Sequence, residues 1–337
     1  MNYQSQARVL RAAVLALSIF AFTVFLNGCG KKADQEPSTE PVLTIGQEIS
    51  SEPAIPQDAV KYDGEYFVPK KGLQTILIMG LDKCERPEAS IAYTNTMQSD
   101  FLLLAVIDEK AEQCELLHLN RDTMTEIQRL GFGGADTGKF VGQLALAHTY
   151  GSGGSDSCLN AVKAVSHLLG GVKIDHYMTL TMDGVGKIND LVGGVTVTML
   201  EDFSELDPAM KKGETVTLKG EQALLYVRTR QGIGDQSNLS RMERQRQYLE
   251  AFYGKLMEAN RKIDGFLSSS LLKVNDDFES DCTVNQLDAL SDVLETCEVN
   301  PIRTIDGQAI QGEEFMEFYV NEDSLQETII RLFYEKW

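Results

Sequence analysis

Phe101–Ile107 (FLLLAVI) is an unbroken apolar run with no alternation. A strand that reads this way is covered on both faces, so the chain must place helices above and below the sheet that holds it. Leu73–Leu81 (LQTILIMGL) reads as a buried strand before it, and Cys114–Leu119 (CELLHL) as one after the polar, turn-like 108–113. A hairpin centred between Lys110 and Ala111 sets Asp100 opposite Arg121 at the open end of the sheet, a carboxylate against a guanidinium. Asp82 ends the preceding strand and joins them if that strand runs parallel to the second of the pair. The alternative is an ordinary edge salt bridge.

The rest of the body alternates. Gln143–Tyr150 reads as helical, 151–157 (GSGGSDS) as a flexible loop, and Cys158–Leu169 as a helix capped by Ser157 and ended by Gly170-Gly171. Strand Val172–Thr181, helix Asp183–Leu191 and strand Val195–Leu200 follow. This predicts an α/β protein, a three-layer α/β/α domain with a central mixed sheet, mixed because of the hairpin. Toward the C-terminus Thr283 caps a helix Val284–Leu294, and Asp323–Trp337 reads as an amphipathic helix.

Ala223–Gln247 (ALLYVRTRQGIGDQSNLSRMERQRQ) holds Arg228, Arg230, Arg241, Arg244 and Arg246 and no lysine. The whole chain carries 31 Lys+Arg against 50 Asp+Glu, a formal charge of -19, so this cluster is not general surface charge. Guanidinium forks grip phosphate or carboxylate in a bidentate way that lysine does not. The bland alternative is a solvated basic helix. An extended Leu224–Arg230 would project Arg228 and Arg230 from one face. Ser240 and Glu243 match a capping box, starting a helix at Arg241 that aligns Arg241, Arg244 and Gln245, with Met242, Leu249, Tyr253 and Leu256 buried and Arg246 structural. Arg228, Arg230, Arg241 and Gln245 then form two jaws beside a helix N-terminus, a clamp suited to a diphosphate.

The acidic balance excludes nucleic acid as a partner. Arg8 and Arg11, the apolar Ala12–Leu26 and the lipobox-like Leu26-Asn27-Gly28-Cys29 make residues 1–29 a signal peptide with lipobox, or a short membrane anchor. Either exports the body to the extracytoplasmic face of the membrane. Residues 30–64, rich in Ser, Glu, Pro and Gln, read as a disordered tether. The folded body spans 65–337, with its core in 73–256 and a helical part in 257–337. Cys84, Cys114, Cys158, Cys282 and Cys297 give no disulfide framework, though Cys282–Cys297 is a possible bridge. No zinc motif is present.

Five segments together resemble the LytR-CpsA-Psr family of bacterial cell-envelope glycopolymer ligases. They are Gly80–Asp82, SDFLLL from Ser99, LNRDT from Leu119, the run from Ile174 to Thr198, and YVRTR…RMERQR from Tyr226. The resemblance covers about 73–256. It implies an α/β/α domain with an apolar tunnel for a polyprenyl chain. It also implies Mg²⁺-dependent transfer of a glycopolymer, such as teichoic acid or capsule, from polyprenyl diphosphate to a peptidoglycan hydroxyl, forming a phosphodiester. By position, Asp82 and Asp100 are the implied magnesium ligands, and Arg121, Arg228, Arg230, Arg241 and Gln245 the implied diphosphate clamp. Asp100 and Asp122 are candidates for the base. Two positions depart from the family pattern: Gln98 stands where many members have Arg, and Asn238 where many have Asp, with Asp122 and Asp235 as possible compensating carboxylates. The departures leave open a non-catalytic carrier-binding protein, and a polyprenyl-diphosphate pyrophosphatase differs only in using water as acceptor.

Overall fold

The computed structural model describes residues 55–83 and 93–337. The signal or anchor of 1–29, the tether to residue 54, and Cys84 lie outside the described residues. A hairpin of β1 (Val60–Tyr62) and β2 (Glu65–Pro69) opens the described body, so pairing begins inside the stretch read as tether.

Next come β3 (Leu73–Leu81), β4 (Ser99–Asp108) and β5 (Gln113–Leu119). β4 pairs antiparallel with both neighbours. The β4–β5 register sets Leu102 against Leu119 and Asp108 against Gln113, as the hairpin centre requires. With β4 reversed between them, β3 and β5 run in the same direction, so Asp82 and Arg121 leave the sheet at one end.

A two-stranded ribbon, β6 (Met124–Leu130) with β7 (Asp136–Gln143), follows. Leu144–Thr149 is a 3-10 helix. Then come α1 (Ser155–Leu168), β8 (His176–Thr181), α2 (Met182–Leu191), and the pair β9 (Val195–Thr198) and β10 (Thr215–Leu218). α1 starts earlier than expected. Ser157 is fully buried and accepts from the Gly153 backbone N–H and the Asn95 amide, so the Gly-rich loop is a packed corner.

α3 (Glu221–Arg228) and α4 (Asn238–Asn260) carry the arginine-rich stretch. Here the extended reading fails. Glu-Gln-Ala-Leu-Leu is strongly helix-forming, and Ala223 and Tyr226, three apart, are the buried pair of a helix. α4 also begins earlier than expected, with Ser237 as N-cap, its hydroxyl accepting from Ser240 N–H.

The C-terminal part is mixed rather than helical. It holds α5 (Phe266–Lys273), β11 (Phe278–Ser280), α6 (Val284–Thr296), β12 (Glu298–Val299), the ribbon β13 (Gly307–Gln311) and β14 (Met316–Val320), α7 (Glu322–Phe333) and β15 (Tyr334–Lys336). α6 starts on the expected cap: Thr283 and Gln286 form a full capping box. β11 and β12 edge the main sheet, giving the order β11-β8-β3-β4-β5-β12. β3–β8 and β5–β12 are parallel and the other pairs antiparallel. Cys282 and Cys297 are free thiols, not a bridge.

Alternation in β3 and β4 feeds two cores. Leu77, Met79, Leu102 and Leu104 pack with α1 and α7 on one face. Ile76, Ile78 and Ile107 pack with α4, α5 and α6 on the other. Burying each such side chain contributes about 1.5–3 kcal/mol, which is why the double-sided run dictates three layers.

Candidate active site

The site lies at the end of the sheet where β3 and β5 finish. Asp82 follows β3, and its N–H donates to the Gln98 carbonyl at 2.9 Å. Asp100 is the second residue of β4, and Arg121 follows β5 by two residues. The Asp100 carboxylate is shared: Oδ1 pairs with Arg121 Nη1, and Oδ2 with Arg241 Nη1 at 3.1 Å. Arg121 is held further by Gln98 Oε1 at 3.1 Å and by Asp122 Oδ1 at 3.2 Å. The neutral Gln98 is therefore an acceptor for Arg121, a role an arginine there could not fill.

Arg241 is 5% exposed, and its Nε and Nη2 donate to Asn238 Oδ1 at 3.1 and 2.5 Å. Asn238 Nδ2 donates to Asn120 Oδ1 at 2.8 Å, and the same oxygen accepts the Asp122 backbone N–H at 2.9 Å. Burial pushes the Arg241 pKa down, Asp100 opposes this, and the nearby charges of Arg121 and Arg230 push it further down. An anion arriving beside these arginines would relieve that repulsion. Asp122 is itself buried, and its Oδ1 accepts from Gln143 Nε2 at 3.0 Å.

The other jaw is looser. Arg228 is the last residue of α3 and half exposed, with Nη2 3.6 Å from Asp82 Oδ1. Arg230 lies two residues on, past the extended Thr229. Gln245 is placed differently from a free donor: its Nε2 donates to the Val227 carbonyl at 3.0 Å, and its Oε1 is buried with no hydrogen-bond partner. Asp235 accepts from Ser237 N–H and from Ser240 Oγ, tying the turn before α4.

Arg244 is not part of the clamp. It is 1% exposed; its Nε and Nη2 donate to the carbonyls of Tyr226 and Thr229, and Nη1 pairs with Glu201. It fixes the end of α3, and hence where Arg228 and Arg230 stand. Sequence reasoning gave no role to Glu201, Asn120 and Gln143; Asn120 sits inside the LNRDT segment, the other two in no motif, and only the fold shows what they hold.

An apolar cavity of about 260 Å³ opens between β3, β4 and β8 and the helices α2 and α4. Gly80, Phe101 and Val227 are in its wall, within two residues of Asp82, Asp100 and Arg228. An added Cβ at Gly80 would come within 3.0 Å of Phe101 Cβ, so glycine keeps the strand and the aromatic ring close there. Gln245, whose Oε1 is buried without a partner, also lines the cavity.

A three-layer α/β domain with paired carboxylates among arginines, beside an apolar cavity, is suited to an amphiphilic anion. The chain belongs to the LytR-CpsA-Psr family, whose pattern it matches over residues 43–332. It is 32% identical over 191 residues to the polyisoprenyl-teichoic acid–peptidoglycan teichoic acid transferase TagU of Halalkalibacterium halodurans, covering 57% of this chain and 56% of that protein. It is 29% identical over 252 residues to biofilm regulatory protein A of Streptococcus mutans, covering 70% and 59%. The chain thus spans a little over half the length of these curated relatives. Among solved structures the fold matches TagT of B. subtilis, at TM-score 0.57 and 22% identity, over 78% of this chain and 90% of that one. TagT has also been solved bound to LIIa-WTA.

Proposed function

We propose that this protein is an extracytoplasmic, Mg²⁺-dependent phosphotransferase. It moves a glycopolymer from a polyprenyl diphosphate carrier to a peptidoglycan hydroxyl. The observation that carries this reading is the shared Asp100, gripped by Arg121 and Arg241, with the Arg228–Asp82 pair, at the polar end of the apolar cavity. The names of the curated relatives support the same class of transfer.

In this scheme the cavity takes the first isoprene units, and Arg121, Arg228, Arg230 and Arg241 take the diphosphate oxygens. The acceptor hydroxyl attacks the phosphorus that carries the glycan. The new P–O bond forms as the bond to the second phosphate breaks, and polyprenyl monophosphate leaves. The hydroxyl proton passes to a carboxylate, for which Asp122 and Asp100 are the candidates. Positioning and charge neutralisation are the main requirements of such a step.

The donor set fits magnesium. Asp82 and Asp100 offer hard oxygen ligands, and each Asp100 oxygen keeps a lone pair beyond its arginine. When bound, the ion would neutralise phosphate charge at these two carboxylates. Lipidation at Cys29, or a membrane helix over 12–26, would hold the site near the bilayer where the carrier resides; palmitate labelling separates the two.

Arg121→Ala and Arg228→Ala are tested in vesicles with carrier-linked polymer, peptidoglycan and Mg²⁺. Each should lower polymer attachment by about 10²–10³-fold. Attachment at the wild-type rate in either variant would sink the proposal. The neutral, fully engaged Asn238 favours one second reading, a carrier-binding protein without turnover. It predicts carrier binding with no polyprenyl monophosphate released on adding acceptor. Release without peptidoglycan would instead mark a pyrophosphatase.

A further inference from the structure

Asp82, Asp100 and the arginines lie at one end of the sheet; a separate cluster lies at the other. His176 opens β8, five residues before the Thr181 that pairs with Leu81, so it stands roughly 16 Å along the strand from the transfer site. Beside it are Asp281 and Cys282, which follow β11, the antiparallel neighbour of β8. One donor atom from each of His176, Asp281 and Cys282 lies within 4.8 Å of the others.

We infer that these three side chains form a zinc site that fastens the β11–α6 segment to the start of β8. A tetrahedral zinc ion, with ligands at about 2.0–2.1 Å, sets nitrogen and oxygen donors about 3.3–3.4 Å apart. His176 Nδ1 lies 3.4 Å from Asp281 Oδ1. The same approach is an ion pair only when His176 is protonated, and as a neutral ring its Nδ1 is buried with no hydrogen-bond partner, free to ligate. With the donor atoms within 4.8 Å of one another, the thiol has at most about an ångström to move to complete the triangle.

The donors are also pre-aimed by outer contacts, as in metal sites generally. Tyr177 N–H donates to Asp281 Oδ1 at 2.9 Å. Ser280 Oγ donates to the Tyr177 carbonyl at 2.7 Å and accepts from Cys282 N–H at 3.0 Å. Nitrogen, sulfur and oxygen together favour zinc over magnesium, which takes oxygen alone. The fourth position is left for water. The cluster is remote from the transfer site, so an ion there fastens β11–α6 to β8 and takes no part in the transfer step.

The test uses the full chain in detergent with Zn²⁺ or Co²⁺ alone. The wild type should bind one Zn²⁺, melt at a higher temperature with it, and show thiolate-to-cobalt charge-transfer absorption with Co²⁺. Cys282→Ser and His176→Ala should each weaken Zn²⁺ binding at least tenfold, and Cys282→Ser should lose the absorption. Far-UV circular dichroism without metal checks that both variants fold; if one does not, Asp281→Asn serves in its place. Absence of Zn²⁺ binding by the wild type, or unchanged affinity in the folded variants, overturns the inference. Polymer attachment is a separate readout, so failure here leaves the proposed transferase untouched.

Discussion

Replacing Arg244 by alanine tests whether this residue holds the end of α3 that carries Arg228 and Arg230. Its guanidinium is 1% exposed, pairs with Glu201, donates to the carbonyls of Tyr226 and Thr229, and lies 5.3 Å from the centre of the Phe203 ring. Alanine leaves the Glu201 carboxylate, 14% exposed, without its cation and two carbonyls without donors. Removing one partner of a buried pair costs about 3–5 kcal/mol, and we take about 4. Unfolding entropy of about 2.1 cal/mol/K per residue, over the roughly 280 residues of the folded unit, is about 0.6 kcal/mol/K. The melting temperature should therefore fall by about 7 °C. Lysine keeps the charge but offers no fork, and should recover about half of the loss. Scanning calorimetry at pH 7 reads both. A fall below about 2 °C for alanine, or a lysine variant equal to wild type, refutes the assignment.

Other perturbations probe the cavity and the support behind the site. Ile188 lines the cavity, so Ile188→Trp should raise KM for long-chain carriers several-fold more than for short-chain ones; equal effects would remove the cavity from carrier binding. Burial pushes the His148 imidazole from its ordinary 6.5 down to about 4, against a hydrogen bond to the Met97 carbonyl. The unfolded chain takes this proton up first, so its contribution is intact above pH 6.5 and is lost as pH falls from 6.5 toward 4, by about 3 kcal/mol. Urea unfolding at several pH values should show that loss reduced in His148→Gln; an unchanged pH slope counts against it. His118, pushed down by burial to about 3, adds a loss of the same sign and leaves a residual slope in that variant.

The sheet was legible because its physics is local. Two apolar runs joined by a short polar turn admit one register, and that register alone carries Asp100 to Arg121. The arginine stretch was legible in composition but not in conformation. Tyr-Val-Arg-Thr-Arg alternates like a strand, while the residues before it are helix formers, and packing of Ala223 and Tyr226 decides for the helix. Gln245 shows the same limit: helical spacing gave its face, but only the fold reveals that the Val227 carbonyl takes its donor. The Asn120–Asn238 contact joins residues far apart in sequence, and nothing in either neighbourhood announces it.

The way α3 ends divides the arginines by what natural variation can reach. Arg228 and Arg230 hang from a helix end that Arg244 and Glu201 fix from beneath. Substitutions at the outer pair therefore leave the support beneath them, and with it the fold, intact. Arg244 and Glu201 act as one unit, so a change in either alone carries the stability loss worked out above, while a paired change need not.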